Sequence, residues 1–371
     1  MRFGPLSLKS TIALSNLGID TNVFNEADAD RPQSDFTMTF TPTTDLWLRV
    51  GRTWISGTIH VDWVYYRRFA SERSANSNYR VGVSRTFNRL ALKGGASRLS
   101  TRDRPGFEID ARSQRMETAF DGEVEMRTFS KTYVSARARR QRVEFDQAAV
   151  FREASLGREL NRRISGTAFV VRHRVTPLTN VSLEVWRDHE RFVFSPFRDS
   201  DSTRIAGSVN FQPLALINGD ASFGYRRFTP LAGDVPPYRG ATAAVGLSYN
   251  LLGTTRLGVE ATRDLQPSFE PTQPYYLETG VSGSVQRQVY GPFDVLARTG
   301  VRRLAYRDRI GAAVKVSNRA DLVRTFGVGA GYRLGTDKRI GFTIDHQKRT
   351  SSVDGRQYSG LRYGMSVTYE T

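Results

Sequence analysis

The stretch FTMTFTPTTDLWLRV, residues 36–50, decides the fold. Phe36, Met38, Phe40, Pro42, Leu46, Leu48 and Val50 share one parity, and Thr37, Thr39, Thr41 and Arg49 take the other. Successive side chains on a strand point to opposite faces, so this is a strand with one apolar and one polar face. It is too long for an ordinary soluble sheet, where about five or six residues is usual. A tilted strand crossing a membrane keeps about 9–11 residues in the hydrocarbon and runs on beyond it.

The same grammar extends in both directions. Upstream, Leu6, Leu8, Ile12 and Leu14 oppose Ser7, Lys9, Thr11 and Ser15, and a polar connection occupies residues 17–33. Downstream, Gly51-Arg52-Thr53 forms a tight turn, after which Ile55, Ile59, Val61, Trp63 and Tyr65 oppose His60, Asp62, Tyr66 and Arg68. Residues 112–127 set Met116, Phe120, Val124 and Met126 on one face, and the last strand does so with Leu361, Tyr363, Met365, Val367 and Tyr369. About eighteen such segments (16–18) follow one another, joined by nine short turns and nine longer loops rich in Asp, Arg, Ser and Pro. Residues 154–175 break the pattern, because Leu156, Leu160 and Ile164 share one parity while Phe169, Val171 and Val175 share the other; a bulge or bend within a strand accounts for the switch.

An even strand count puts both termini on the side of the short turns. The expected architecture is therefore all-β: one closed, antiparallel, up-and-down transmembrane barrel over residues 1–371, with periplasmic turns and termini and longer extracellular loops. A propeller is the soluble competitor, since the hairpin repeat has the length of a blade, but a blade holds four short strands where two long ones stand here.

Composition narrows the function. The chain has 371 residues, no Cys and a net charge of +17, with 54 basic residues against 37 acidic ones. Without Cys there is no disulfide framework, thiolate metal site or cysteine nucleophile. The basic excess invites a nucleic-acid partner, but the bases are spread along the chain and form no arm or recognition helix, so none is expected. Met1-Arg2-Phe3-Gly4-Pro5 is not a signal peptide; for an exported protein this reads as the mature sequence. The expected location is the outer membrane of a Gram-negative bacterium.

The polar parity supplies the candidate site. Glu117, Asp121, Glu123 and Glu125 lie on one face of one strand, and the next strand offers Arg137 and Arg139 as cross-strand partners. Arg49, Arg68, Arg204, Arg226, Arg256, Arg298, Arg302, Arg339 and Arg362 fall on inward positions of other strands. Together these fifteen residues are the expected pore lining. A barrel of this size encloses water unless something plugs it, and rows of Arg across that water would favour anions; the alternative is that the charges only brace the wall. At outward parity, Arg263, Arg303 and Arg324 would meet headgroups or lipopolysaccharide phosphates. Aromatics near strand ends (Tyr225, Phe228, Tyr249, Tyr275, Tyr276, Tyr290, Phe293, Tyr332 and Tyr369) would form interfacial girdles.

Catalytic signals are thin. His60, His173, His189 and His346 show no metal-ligand spacing, and no G-x-S-x-G elbow occurs. A rim hydrolase would need a His paired with a Ser or a carboxylate. Asp20, Glu26, Asp28 and Asp30 in the first long loop hold enough oxygen for calcium, against the simpler reading of a solvated acidic loop. No enzyme activity, cofactor or metal is expected.

The opening residues Phe3-Gly4-Pro5-Leu6, the element Ile19-Asp20-Thr21-Asn22-Val23-Phe24, the mid-strand Pro42 and the turn at Gly51-Arg52 resemble a family of bacterial outer-membrane β-barrels of porin type, often encoded with capsule and exopolysaccharide machinery. The resemblance implies a porin-like barrel that passes polysaccharide across the outer membrane, and implies no catalytic residues. One departure is the ending Tyr369-Glu370-Thr371, where many outer-membrane barrels end on an aromatic residue. The expected function is thus passage of polar or anionic solutes, foremost a secreted polysaccharide. The competing reading is a scaffold or receptor whose lumen is plugged. Expected partners are outer-membrane lipid and lipopolysaccharide, the barrel assembly machinery and a periplasmic export protein.

Overall fold

The computed structural model describes residues 2–370 apart from Leu214 and Thr336, and apart from the side chains of Arg2, Asp28 and Glu370. Thr371, the last residue of the ending noted above, also lies outside the described residues. Eighteen long strands build the molecule. The first nine are β1 (Leu6–Asp20), β2 (Asp35–Val50), β3 (Thr53–Tyr66), β4 (Ser74–Thr86), β5 (Leu90–Asp103), β6 (Ser113–Arg127), β7 (Thr132–Phe145), β8 (Arg162–Thr176) and β9 (Thr179–Phe192). The second nine are β10 (Ser200–Phe211), β11 (Ile217–Pro230), β12 (Tyr238–Leu251), β13 (Thr255–Pro267), β14 (Tyr275–Tyr290), β15 (Phe293–Arg307), β16 (Ala320–Leu334), β17 (Lys338–Thr350) and β18 (Tyr358–Glu370).

Each strand pairs antiparallel with the next, and β18 returns to pair with β1, so the sheet closes. Closure gives every strand a partner on both sides, as a hydrocarbon environment demands. No helix among the described residues is long and apolar enough to cross a membrane. At the closing seam, β1 carries a bulge at Asn16, whose φ is 52°. Gly18 follows it so close to β18 that a Cβ there would stand 2.0 Å from the Tyr363 carbonyl oxygen; only glycine fits.

The outer wall is apolar. Ile59, Phe120, Phe169, Phe223, Val281 and Phe326 are each more than half exposed, in a pattern that suits lipid and no aqueous surface. Trp63 stacks on Phe40 across β2 and β3, with centroids 5.5 Å apart.

Three expectations are corrected. Eighteen strands have seventeen connections, nine long and eight short, because the chain ends rather than turns after β18. Residues 154–160 are not barrel strand: Ala154–Ser155 pairs with Val150–Phe151, and Leu156–Leu160 is one helical turn capped by Ser155. Leu156 and Leu160 therefore belong to another element, whereas Ile164 lies in β8 itself at the inward parity, with no bulge between it and Phe169. And of the proposed girdle aromatics, Phe228, Tyr275 and Tyr276 are buried under loops, whereas Tyr225, Tyr290, Phe293, Tyr332 and Tyr369 are exposed.

The wall has one thin place. β12 and β13 pair only between residues 243–251 and 255–263, and beyond Ala243 their ends on the long-loop side diverge. Arg263 bridges the split, donating to the Ala241 carbonyl at 3.2 Å and to Thr279 Oγ1 at 2.9 Å. Phe228, Val235, Tyr238, Leu265, Tyr275 and Leu277 pack into it.

Candidate functional site

The long connections all lie at one end of the barrel, opposite the short turns. The decisive one is the β5–β6 loop, residues 104–112, whose sequence places the apolar Phe107 and Ile109 among charges. Phe107 reaches Arg302 on β15, with its ring 3.9 Å from the guanidinium carbon. β15 lies eight strands from β5 one way round and nine from β6 the other, so the loop crosses the whole lumen.

Its far end is fastened by buried charge. Arg349, at the end of β17, has a fully buried side chain that donates to the Phe107 carbonyl at 3.0 Å, the Glu108 carbonyl at 3.2 Å and Asp110 at 3.0 Å. It also pairs with Asp321 at 2.5 Å, and Asp321 in turn accepts from Arg319 at 2.7 Å and Ser351 at 2.5 Å. Such a group keeps its charge inside a protein because both terminal nitrogens of Arg349 are answered by carbonyls and carboxylates, although its Nε has no partner among the described residues. The Glu108 carboxyl, wholly buried, accepts from Ser268 Oγ at 2.6 Å and the Phe269 amide at 3.1 Å; burial pushes its pKa above the usual carboxylate value despite those bonds and the nearby Arg356. On the near side Arg104 and Arg112 donate to the Val23 carbonyl of the first long loop at 2.7 and 2.9 Å.

A loop core stabilises the arrangement. Ile109, Leu156, Leu160 and Phe269, from three different loops, pack with Val143 and Phe145 of β7. Arg198 ties the same layer, donating to the carbonyls of Ser268 at 2.5 Å and Pro274 at 2.9 Å and to Glu159 at 2.9 Å. Below these loops a cavity of about 960 Å³ runs from Asn22, Asn25 and Arg104 down to Asn218, Arg256 and Gln286 near the short-turn end.

The fifteen expected lining residues fall into groups. On β6 and β7, Glu123 pairs with Arg137 at 3.2 Å, and Lys93 reaches Glu123 and Glu125 at 3.3 Å each. Glu125 also takes Arg172 at 2.5 Å. Arg139 lies directly opposite Asp121 in register but turns to Asp188 on β9, 2.9 Å away, with its guanidinium over Trp186. Asp121 has no ion pair among the described residues. Glu117 accepts from Gln141 at 2.9 Å and pairs with Arg115. Across the barrel, Arg226 pairs with Asp264 at 2.8 Å, Arg339 grips Asp294 with two nitrogens at 2.9 and 2.6 Å, and Arg302 pairs with Glu278. Arg298 pairs with Asp345, and Arg362 with Asp20 at 2.6 Å across the β18–β1 seam. Arg204 stands opposite Trp186 and Arg226, while Arg256 is exposed and forms no ion pair among the described residues. Arg49 lies at the short-turn end over Trp54. Arg68 is placed differently from the expectation: β3 ends at Tyr66, and Arg68 sits exposed in the loop beyond, its backbone amide bound to Asp35.

Of the outward bases, Arg263 is spent on the split in the wall, whereas Arg324 stands directly opposite Lys348. Sequence reading missed Arg104, Glu108, Arg319, Asp321, Arg349 and Arg356. The one available signal was the pair of apolar residues inside the polar 104–112 loop.

Each His has a partner: His60 with Thr43 at 2.8 Å and Asp62 at 3.2 Å, His173 with Thr132 at 3.0 Å, His189 with Asp201 at 2.8 Å and His346 with Ser359 at 2.9 Å. Partners alone are not a hydrolase. His60 and Thr43 sit inside strands paired on both sides, so their backbone amides serve the ladder and leave no oxyanion hole. In the first long loop, Asp20 is engaged by Arg362 and the Asn22 amide, and the Asp28 side chain lies outside the described residues. No group of three His, Asp or Glu suited to a metal is found among the described residues.

The barrel can be compared with solved folds. It is similar to a BenF-like porin from Pseudomonas fluorescens Pf-5, with a TM-score of 0.54 and 10% identity over 99% of this chain and 98% of that one. The outer membrane protein OpdK from Pseudomonas aeruginosa gives 0.51 and 11%, covering 98% and 99%. Pseudomonas aeruginosa OccK2 (OpdF), solved in complex with glucuronate, gives 0.51 and 12%, covering 98% and 97%. At these identities the likeness is one of fold. No curated protein matches the sequence. A family model described as "Putative beta-barrel porin 2" matches residues 1–371 from end to end, so this outer-membrane barrel with a porin-like fold belongs to that family.

Proposed function

We propose that the barrel is a passive channel for polar and anionic solutes, with carboxylate-bearing saccharides as its cargo. The observation that carries this reading is the cavity beneath the 104–112 loop, lined by Arg104 and Arg256, neither of which has an acidic partner among the described residues. The Arg298–Asp345 and Arg362–Asp20 pairs in the same cavity neutralise one another, so those two Arg set the sign of the field. Glu260 offsets part of it, which makes the preference for anions graded rather than absolute.

Glucuronate, the ligand in the OccK2 complex, is a sugar acid of this class. A secreted acidic polysaccharide carries the same group, but a polymer would have to displace the loop that spans the lumen. Small acidic sugars need no such movement, and they are the first cargo to test. Liposome swelling is the assay: glucuronate should enter faster than glucose, and glucose faster than glucosamine. Equal rates for all three, or faster entry of glucosamine, would overturn the proposal.

A second reading rests on the loop core of Ile109, Leu156, Leu160 and Phe269. If that core seals the extracellular half, the protein acts as a scaffold or receptor, and no solute enters at all.

A further inference from the structure

A basic groove of about 520 Å³ lies on the outside of the barrel, on the lipid-facing side of β5–β8. Arg98, Arg140, Arg142 and Arg163 line it, all exposed, with Met116 and Phe120 as its apolar floor. The side is fixed by parity: Arg140 stands directly opposite Phe120, which is 58% exposed on the outer wall. Arg163 stands directly opposite Arg142 in the ladder. Like charges so placed destabilise a sheet, and a cation on the lipid face costs more the deeper it lies.

Little within the protein answers these charges. Glu144 pairs with Arg142 at 2.5 Å. Arg98 approaches only the Met116 sulfur, at 3.3 Å, and neither Arg140 nor Arg163 has an ion pair among the described residues. Four cations against one acid therefore converge on a groove at the extracellular end of the apolar belt, which continues below through Val124 and Met126.

We infer that this groove binds the phosphorylated headgroup of an outer-leaflet glycolipid. Guanidinium groups in pairs match the oxygens of a phosphate with two parallel bonds each, and the acyl chains below would lie along Phe120, Val124 and Met126. A phosphate seated between Arg142 and Arg163 also removes the repulsion between them. The site is independent of the lumen and of what passes through it.

The test uses the intact barrel refolded in detergent, with bisphosphorylated lipid A as probe and the same lipid stripped of phosphate as comparison. Heat-modifiable gel migration verifies folding of each variant. Lipid A should bind the wild type and compete with inorganic phosphate only at far higher phosphate concentration; Arg140→Gln/Arg163→Gln should weaken it about tenfold or more. The single variants, each losing part of that affinity, keep the test valid if the double variant does not fold. Equal binding of the phosphate-free lipid, or an unchanged affinity in folded variants, would refute the site.

Discussion

Arg349 of β17 donates a hydrogen bond to the carbonyl of Phe107, a residue whose loop leaves the wall at β5 and returns at β6, across the lumen. This guanidinium thus helps to fasten the loop that crosses the lumen. Replacing it with an apolar residue leaves Asp321 and Asp110 short of a cation in a buried place, at a cost of about 3–5 kcal/mol to the docked loop. Arg349→Met should therefore raise single-channel conductance and expose the bond after Arg112 to trypsin. Unchanged conductance together with unchanged trypsin resistance would show that the loop is held by other means.

Docking of that loop should weaken as pH rises. Burial raises the Glu108 pKa in the docked loop above its value in a solvated one, so docking takes up a proton. Its contribution is whole below the ordinary carboxylate pKa and is lost as pH climbs through the raised one. Open-channel noise should grow along that rise in the wild type, and Glu108→Gln should flatten the dependence. Noise that grows on acidification instead would reverse the assignment.

Glu125 serves two bases, Arg172 at 2.5 Å and Lys93 at 3.3 Å. Glu125→Ala removes one negative charge from the wall, frees Arg172 and leaves Lys93 with Glu123 alone. Unfolding in urea should show a loss of about 1–3 kcal/mol, and the channel should become more anion-selective. A shift toward cations would contradict the proposed role of the wall's bases.

The outer wall makes a separate prediction. Phe223, midway along β11 and 64% exposed, faces lipid, and its neighbour Ser222 faces the lumen. Phe223→Arg should cost about 2–4 kcal/mol of stability in lipid vesicles, while Ser222→Arg should cost far less. Equal losses would mean that the two faces are assigned wrongly.

The fold was legible because membrane strands repeat one simple rule. Phe36 to Val50 already carries it, and the turn at Gly51-Arg52 is where β2 ends and β3 begins. The loops were less legible. Leu156 and Leu160 read as a faulty strand because their spacing fits a helical turn packed on Ile109 and Phe269 from other loops. The wall charges were found by parity, but their partners were not: Arg139 passes over Asp121 for Asp188, a choice made by side-chain reach and the Trp186 ring beneath it. Arg349, Asp321 and Glu108 were missed because strand ends and loops carry no period, and only three-dimensional closure brings them together.

The reversal potential across a planar bilayer in a tenfold gradient of potassium chloride tests the central claim most directly. The wild type should conduct with a preference for chloride, and Arg256→Glu, which inverts the unpaired charge near the short-turn end of the cavity, should reduce or reverse that preference. A wild-type channel that prefers potassium, or a barrel that never conducts, would contradict it.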